Sequence, residues 1–273
     1  MKLSPLSPLS VSHDSVHSDP VLDTAVTHAL LRRVARGDLG ETLRLYVPHD
    51  AIVFSMLDAQ RSGFDQAQRT AEESGFPGVL RLAGGNAALF HTQSLAFSWA
   101  TPVTESANGI RRRFELVSRW IQRSLIRVGV PAQIGAVPRE YCPGEYSVNA
   151  DGKFKIMGVG QRVIRGAAHV GGVILVADSQ RARSMLSQVY KDLELDLDPK
   201  TVGAVEDAVP GIALEDVKQA LVDEINRDRA IKSVSLDEKT YALASELLPW
   251  HSPSKNPKGR ATALGTKVLS VRP

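Results

Sequence analysis

The chain has 273 residues, 43% hydrophobic and 23% charged, with a formal net charge of +3 and one cysteine. These proportions are those of an ordinary globular protein long enough to carry a sizeable core, and a single cysteine excludes an internal disulfide. The longest apolar runs, such as Val173–Ala177, fall far short of the roughly 20 residues of a membrane helix, and the N-terminus lacks the apolar stretch of a signal peptide, so the expected location is the cytoplasm.

Residues 1–18 repeat Ser-Pro-Leu twice and are rich in Ser and His, including His13 and His17, so they read as a disordered tail. Asp19-Pro20 then opens a helix whose stripe is Leu22, Val26, Ala29, Leu30 and Val34, closed by Gly37. Residues 42–48 alternate as a strand, and 51–56 read as a buried one. A polar helix near 64–74 ends at Gly75, and 79–102 reads as a strand, a glycine turn and two further strands. The next helix, around 109–128, repeats apolar residues at three- and four-residue intervals from Ile110 to Val128. From 145 to 177 the period changes to two, which predicts an antiparallel meander turning at Ala150-Asp151-Gly152, with strands through Lys155, over 161–166 and over 168–177. Asp178-Ser179 caps a helix to about 194, an amphipathic helix spans about 213–228, and a short helical patch near 237–248 precedes a polar tail. The expected organisation is a tail over 1–18, one α+β domain over 19–230 with a largely antiparallel sheet, and a partly flexible extension over 231–273.

The glycine turn over 81–91 places Arg81 ahead of Gly84-Gly85-Asn86, where glycines permit positive φ and close approach of a ligand. It reads either as a tight hairpin with an incidental arginine or as a site in which Arg81 meets an acidic or carbonyl group. It is neither a dinucleotide fingerprint nor a Walker loop. Cys142 is followed by Pro143-Gly144, which puts the thiol on a turn, and Lys155 lies on the return strand of the hairpin that this turn feeds. The thiol is either a small buried hydrophobe or a nucleophile whose pKa a neighbouring ammonium lowers. Gly158 and Gly160 leave room for a ligand beside the strand, while His91 and His169 read as core histidines or substrate contacts. No Cys/His cluster has zinc spacing, so no metal site is expected. Six arginines, Arg111, Arg112, Arg113, Arg119, Arg123 and Arg127, crowd one helix as a solvated face or a docking surface for an acidic partner.

Taken together, residues 80–86 (LRLAGGN), 152–162 (GKFKIMGVGQR) and His169-Val170-Gly171-Gly172 resemble the lipoate–protein ligase and octanoyltransferase family, whose catalytic domain is similar to that of biotin protein ligase. Arg81 stands on the second arginine of that family's R-R-x-x-G-G-G-like loop, with Leu80 replacing the first and Asn86 the third glycine, and Lys155 stands on its essential lysine. The resemblance covers about residues 20–228 and implies an α+β fold with a largely antiparallel mixed sheet flanked by helices. Residues 141–149 (YCPGEYSVN) replace the R-N-D-like triplet of the ATP-dependent ligases and resemble the octanoyl-H-protein amidotransferase branch, in which Y-C-P-G supplies a cysteine nucleophile.

That likeness implies that Cys142 carries an acyl thioester and that Lys155 activates it or positions the acyl carbonyl. Arg81, Gly84, Gly85, Asn86, His91, Gly158, Gly160 and His169 are the expected substrate-binding residues. It further implies transfer of an octanoyl or lipoyl group from the glycine cleavage H protein or acyl carrier protein to lipoyl domains of 2-oxoacid dehydrogenases. No cofactor, nucleic acid or membrane is expected to take part. The alternatives are an ATP-dependent lipoate–protein ligase using Lys155 with ATP and Mg, and a non-catalytic lipoyl-domain or lipoate binding protein.

Overall fold

A computed structural model describes residues 8–16, 19–103 and 108–253. The strands are β1 (Leu9–Ser12), β2 (Thr42–Tyr46), β3 (Ala51–Phe54), β4 (Gly78–Leu80), β5 (Ala88–Phe90) and β6 (Ser94–Pro102). They continue with β7 (Ala132–Ile134), β8 (Val148–Ala150), β9 (Phe154–Ile164), β10 (Ala167–Leu175) and β11 (Ile231–Ser233). The helices are α1 (Pro20–Arg36), α2 (Phe64–Glu73), α3 (Asn108–Arg127), α4 (Ser179–Asp192), α5 (Val205–Ala208), α6 (Leu214–Asp228) and α7 (Glu238–His251).

Local chemistry explains the surest boundaries. Asp19 accepts a hydrogen bond from the Val21 N–H at 2.8 Å, Pro20 takes the first helical position, and Gly37 ends α1 with φ of 77°. Asp178, expected to cap α4, instead adopts φ of 59° and makes no capping hydrogen bond. Among the described residues the strands form an eight-stranded sheet, in the order β11-β1-β2-β6-β10-β9-β8-β7, and a three-stranded sheet, β4-β3-β5. Pairing is antiparallel except at β1–β11, β1–β2 and β3–β4.

Leu43, Leu45, Phe97, Trp99, Val170 and Ile174 turn one face of the large sheet toward α3 and α6. The other face carries α1 and α7 at the β2 side, and the small sheet with α2 and α4 at the other.

The structure corrects the expected chain ends. Leu9–Ser12, placed in a tail by composition, is a strand paired on both sides, and Ile231–Ser233 is its partner. The helical patch expected near 237–248 is helix α7, which packs on α1. The remaining tail positions, 1–7, 17–18 with His17, and 254–273, lie outside the described residues. Strand β9 runs unbroken through residues expected to form two pieces.

The arginine helix is tied into its own chain. The buried Glu224 of α6 receives Arg127 at 2.9 Å and Arg123 at 3.5 Å, and Arg113 Nε donates to Gln161 at 2.6 Å. No helix among the described residues is long and apolar enough to cross a membrane.

A histidine relay fastens α7 to the end of β4. His251 Nδ1 donates to the Leu80 carbonyl at 2.7 Å, His251 Nε2 lies 3.0 Å from His28 Nδ1, and Arg32 Nε donates to His28 Nε2 at 3.0 Å. Since Leu80 O can only accept and Arg32 can only donate, each ring carries its proton on Nδ1 and both imidazoles are neutral. Burial, with the neighbouring His251 and Arg32, pushes the His28 pKa down to about 2, which keeps the relay intact at neutral pH.

Candidate active site

Cys142 stands in the loop between β7 and β8. Lys155 pairs with Asn149 across the β8–β9 hairpin, so the turn at 150–153 returns it to that loop. The two residues do converge, through the backbone. Lys155 Nζ donates to the Cys142 carbonyl at 2.7 Å, the Tyr141 carbonyl at 2.9 Å and Glu140 Oε1 at 3.1 Å. Its donors are therefore spent on the loop that carries the thiol. Gly158 leaves room for this arrangement, because a Cβ there would lie 3.1 Å from Lys155 Cε.

Glu140 gathers the rest of the loop. Its Oε1 also accepts from Ser147 Oγ at 2.6 Å and the Gly144 N–H at 3.2 Å, and its Oε2 accepts from the Val137 N–H at 2.9 Å. The attraction of a buried ion pair offsets its desolvation best when the remaining lone pairs and protons are hydrogen-bonded, and here they are.

The sulfur faces the glycine turn. The Asn86 N–H points at Cys142 Sγ from 3.3 Å and Arg81 Nη2 from 3.5 Å. The same Nη2 donates to the carbonyls of Gly84 at 2.8 Å and Asn86 at 2.6 Å, while Nε donates to Ala83 O at 3.3 Å. Arg81 thus folds its own turn into a cup for the sulfur. Gly85 is required at the bottom of that cup: its φ is 92°, and a Cβ would lie 2.7 Å from Sγ. Cys142 itself has φ of 42°, in the left-handed region that few non-glycine residues adopt.

Burial pushes the Cys142 thiol up, but the charges of Arg81 and Lys155 and the hydrogen bonds from Asn86 and Arg81 outweigh it. The thiol therefore lies below its ordinary range, which favours the nucleophilic thiolate.

Beside the thiol, a cavity runs across the large sheet. Cross-strand register aligns Gly160 of β9, Gly171 of β10, Ser98 of β6 and Arg44 of β2 on one face. Gly158, Val173, Ala96 and Tyr46 make the next row of the same face. Neighbouring strands lie about 4.8 Å apart, so three steps from β9 to β2 span roughly 14 Å. Thr24 and Thr27 of α1, Phe90 and Tyr141 complete the walls. This is a narrow, mainly apolar slot floored by glycine and serine, with Cys142 at one end and Tyr46 at the other.

The expected substrate residues divide accordingly. Arg81, Gly158, Gly160 and His169 line the cavity, whereas Asn86 meets the sulfur through its N–H, Gly85 makes room for it by lacking a Cβ, and Gly84 holds Arg81 through its carbonyl. His169 lies 3.3 Å from Ser98 Oγ through Nδ1, and burial lowers its pKa to about 4, so it is neutral at physiological pH. His91 is not among the cavity residues. Its Nδ1 accepts from the Gln93 N–H at 3.0 Å and orders the turn between β5 and β6, where burial lowers its pKa.

Sequence reasoning missed Glu140, adjacent to the cysteine motif, and Tyr190. The latter sits on the buried stripe of α4 with Ala182, Leu186 and Val189, where it reads as core. Its hydroxyl is the overlooked signal, since a buried phenol requires a polar partner.

Residues 19–226 match the model of the lipoyl protein ligase A/B catalytic domain. The chain is 26% identical to an octanoyl-[GcvH]:protein N-octanoyltransferase of Geobacillus kaustophilus, over 87% of this chain and 86% of that protein. It is 29% identical to a protein of the same name from an Exiguobacterium species, over 76% and 75% of the two chains. The fold is also similar to that of lipoate-protein ligase A bound with ATP, with a TM-score of 0.73 and 19% identity over 88% of this chain and 94% of that one. A putative lipoate protein ligase from T. acidophilum with bound lipoic acid aligns with a TM-score of 0.72 and 18% identity, over 95% and 100% of the two chains. By the family match over most of its length, the chain belongs to the lipoyl protein ligase A/B catalytic domain family.

Proposed function

We propose that Cys142 takes an octanoyl group from a carrier protein as a thioester and hands it to the lysine of a lipoyl domain. The chain is an acyltransferase of protein lipoylation, as its curated relatives are octanoyltransferases. The observation that carries the thioester reading is the sulfur itself, cupped by the Asn86 N–H and Arg81 at the mouth of the slot.

In the first step the Cys142 thiolate attacks the octanoyl carbonyl carbon of the donor, octanoylated glycine cleavage H protein. A C–S bond forms, the C–N bond to the carrier lysine breaks, and the leaving nitrogen takes up a proton from water. In the second step a neutral lysine amine of the acceptor attacks the thioester carbon, the C–S bond breaks, the thiolate returns and the amine proton passes to solvent. Arg81 and the Asn86 N–H hold the thiolate at the start and end of this cycle. Lys155 serves by charge and by fixing the loop carbonyls, since its hydrogen bonds go to the backbone of the nucleophile and to Glu140.

The slot holds the acyl chain, and burying its methylenes contributes about 0.8 kcal/mol each. The acyl bond to the carrier is broken as the new one forms, so this route calls for no ATP. A thiol nucleophile works where thiols stay reduced, which supports the cytoplasm as the place of the reaction.

The test is intact-mass analysis after incubation with octanoylated H protein in the absence of ATP. An octanoyl adduct is expected on the wild type and none on Cys142→Ser. Transfer that survives in Cys142→Ala overturns the thioester route, and modification of a lipoyl domain only with ATP and lipoate assigns the chain to the ligases.

A further inference from the structure

We propose that Tyr190 is the positioning residue that sets the distance between the Cys142 thiol and the groups that stabilise its thiolate. The inference rests on the reading of Cys142 as the nucleophile. The sulfur and its two donors stand on loops of different sheets. Cys142 lies between β7 and β8 of the large sheet, whereas Arg81 and Asn86 lie between β4 and β5 of the small one. Something has to hold these loops in register, because a thiolate is stabilised only by donors within hydrogen-bond reach.

The Tyr190 hydroxyl does so with both of its functions. It accepts the Cys142 N–H at 2.6 Å and donates to the Ala87 carbonyl at 2.9 Å, one residue beyond Asn86. One oxygen thus ties the nucleophile's own backbone to the turn that cups its sulfur. The phenol is 1% exposed and stands on α4, whose Arg183 Nε donates to the Val202 carbonyl at 2.7 Å. Val202 in turn bridges Lys155, so the frame that bears Tyr190 is continuous with the lysine that holds the Cys142 carbonyl. Tyr190 and Lys155 pin the N–H and the C=O of Cys142 from opposite sides, which maintains its φ of 42°.

In Tyr190→Phe the ring still fills its place in the core while both hydrogen bonds are lost. The Cys142 N–H is left unpaired, the left-handed turn relaxes, and Sγ withdraws from Asn86 and Arg81. The experiment is the pH dependence of iodoacetamide alkylation of Cys142, read by intact mass without any acyl donor, with thermal unfolding of the same samples. The expected result is an inflection moved up by about one pH unit, so that alkylation near neutral pH slows about tenfold in a protein that unfolds cooperatively.

Ser187→Ala, which removes another α4 hydroxyl that donates to the Arg183 carbonyl at 2.6 Å, is expected to keep the wild-type inflection. A folded Tyr190→Phe with the wild-type inflection overturns the proposal, as does an equal shift in Ser187→Ala. Should Tyr190→Phe not unfold cooperatively, Tyr190→His, which restores a donor and an acceptor on a ring, carries the same decision. An inflection nearer the wild type than that of Cys142 in the denatured chain supports the positioning role, and one equal to the denatured chain overturns it. Because thiol titration needs no acyl donor, it stands or falls apart from the transfer activity of Cys142→Ser.

Discussion

At the β9 end of the cavity Lys155 faces Glu140, and at the β2 end Arg44 faces Asp23, with all four side chains buried. Glu140 has both carboxylate oxygens occupied, by Lys155, Ser147, Gly144 and Val137. Asp23 is less complete: Oδ1 accepts from Arg44 and the Val16 N–H, while Oδ2 has no hydrogen-bond partner. Burial accordingly raises the Asp23 pKa, against the lowering pull of Arg44. Arg44 spends its other donors on the carbonyls of Asp14 at 2.7 Å and Asp23 at 3.2 Å, and its guanidinium lies 3.7 Å from the centre of the Tyr46 ring. One pair therefore organises the reactive loop, and the other backs Tyr46 at the far end of the slot and anchors the start of α1. Equal burial does not mean equal function, and what separates the two pairs is which backbone carbonyls the cation holds.

The largest effect is expected from Lys155→Met, which strips Glu140 of its counter-charge and the thiol loop of its clamp. Transfer should fall by roughly 100-fold through misplacement of the sulfur. Urea unfolding should show a loss of about 3–5 kcal/mol from the unpaired buried carboxylate.

Arg44→Met should be as destabilising, about 3–5 kcal/mol by the same measurement, yet leave the alkylation rate of Cys142 at its wild-type value. Its deficit should also depend on pH. The folded Asp23 pKa lies above its ordinary 3.8, so stability is lost as pH rises through the folded value and the carboxyl ionises. Removing Arg44 raises that value further, so the Arg44→Met deficit should be greatest near neutral pH and shrink on acidification. A Cys142 alkylation rate that falls equally in both variants would erase the distinction between the two ends.

Gly85→Ala asks a narrower question of the thiol end alone. Its φ of 92° and the contact with Sγ predict a cost of about 1–3 kcal/mol and slower alkylation. The smallest effect belongs to Arg112→Ala on the exposed side of α3, where stability should change by less than about 0.5 kcal/mol and octanoyl transfer should be unchanged. A clear drop in transfer to a lipoyl domain would restore the arginine helix as a docking face.

Much of this was readable from local signals. The cap Asp19-Pro20, the stripe of α3 and the hairpin that returns Lys155 to the cysteine loop all depend on residues near one another in the chain. What escaped depends on distant pairing. Strand β1, four residues inside a Ser- and Pro-rich stretch, is made by backbone hydrogen bonds to segments some 30 and 220 residues away, and no side-chain pattern announces that. The same holds for the splitting of the strands into two sheets. At the site, the spacing brought Cys142 and Lys155 together but could not reveal that the lysine addresses a carbonyl rather than the sulfur. For His91 both readings were left open, because a polar residue at a strand end looks alike whether it meets a substrate or orders a turn.

The parallel pairing of β1 with both β2 and β11 also bears on how the molecule is made. Strand β1 is synthesised before the catalytic framework, and β11 only after it. Until then β1 has one neighbour and an open edge, which is a template for wrong partners. Closure of the sheet thus waits for β11, joining segments made before and after the catalytic framework, and the relay from His251 to Leu80 waits for residues made later still. A nascent chain halted before residue 231 would hold Cys142 and Lys155 but lack the edge strand and the helix that brace the Arg81 turn, so maturation of the reactive loop is tied to the synthesis of β11 and α7.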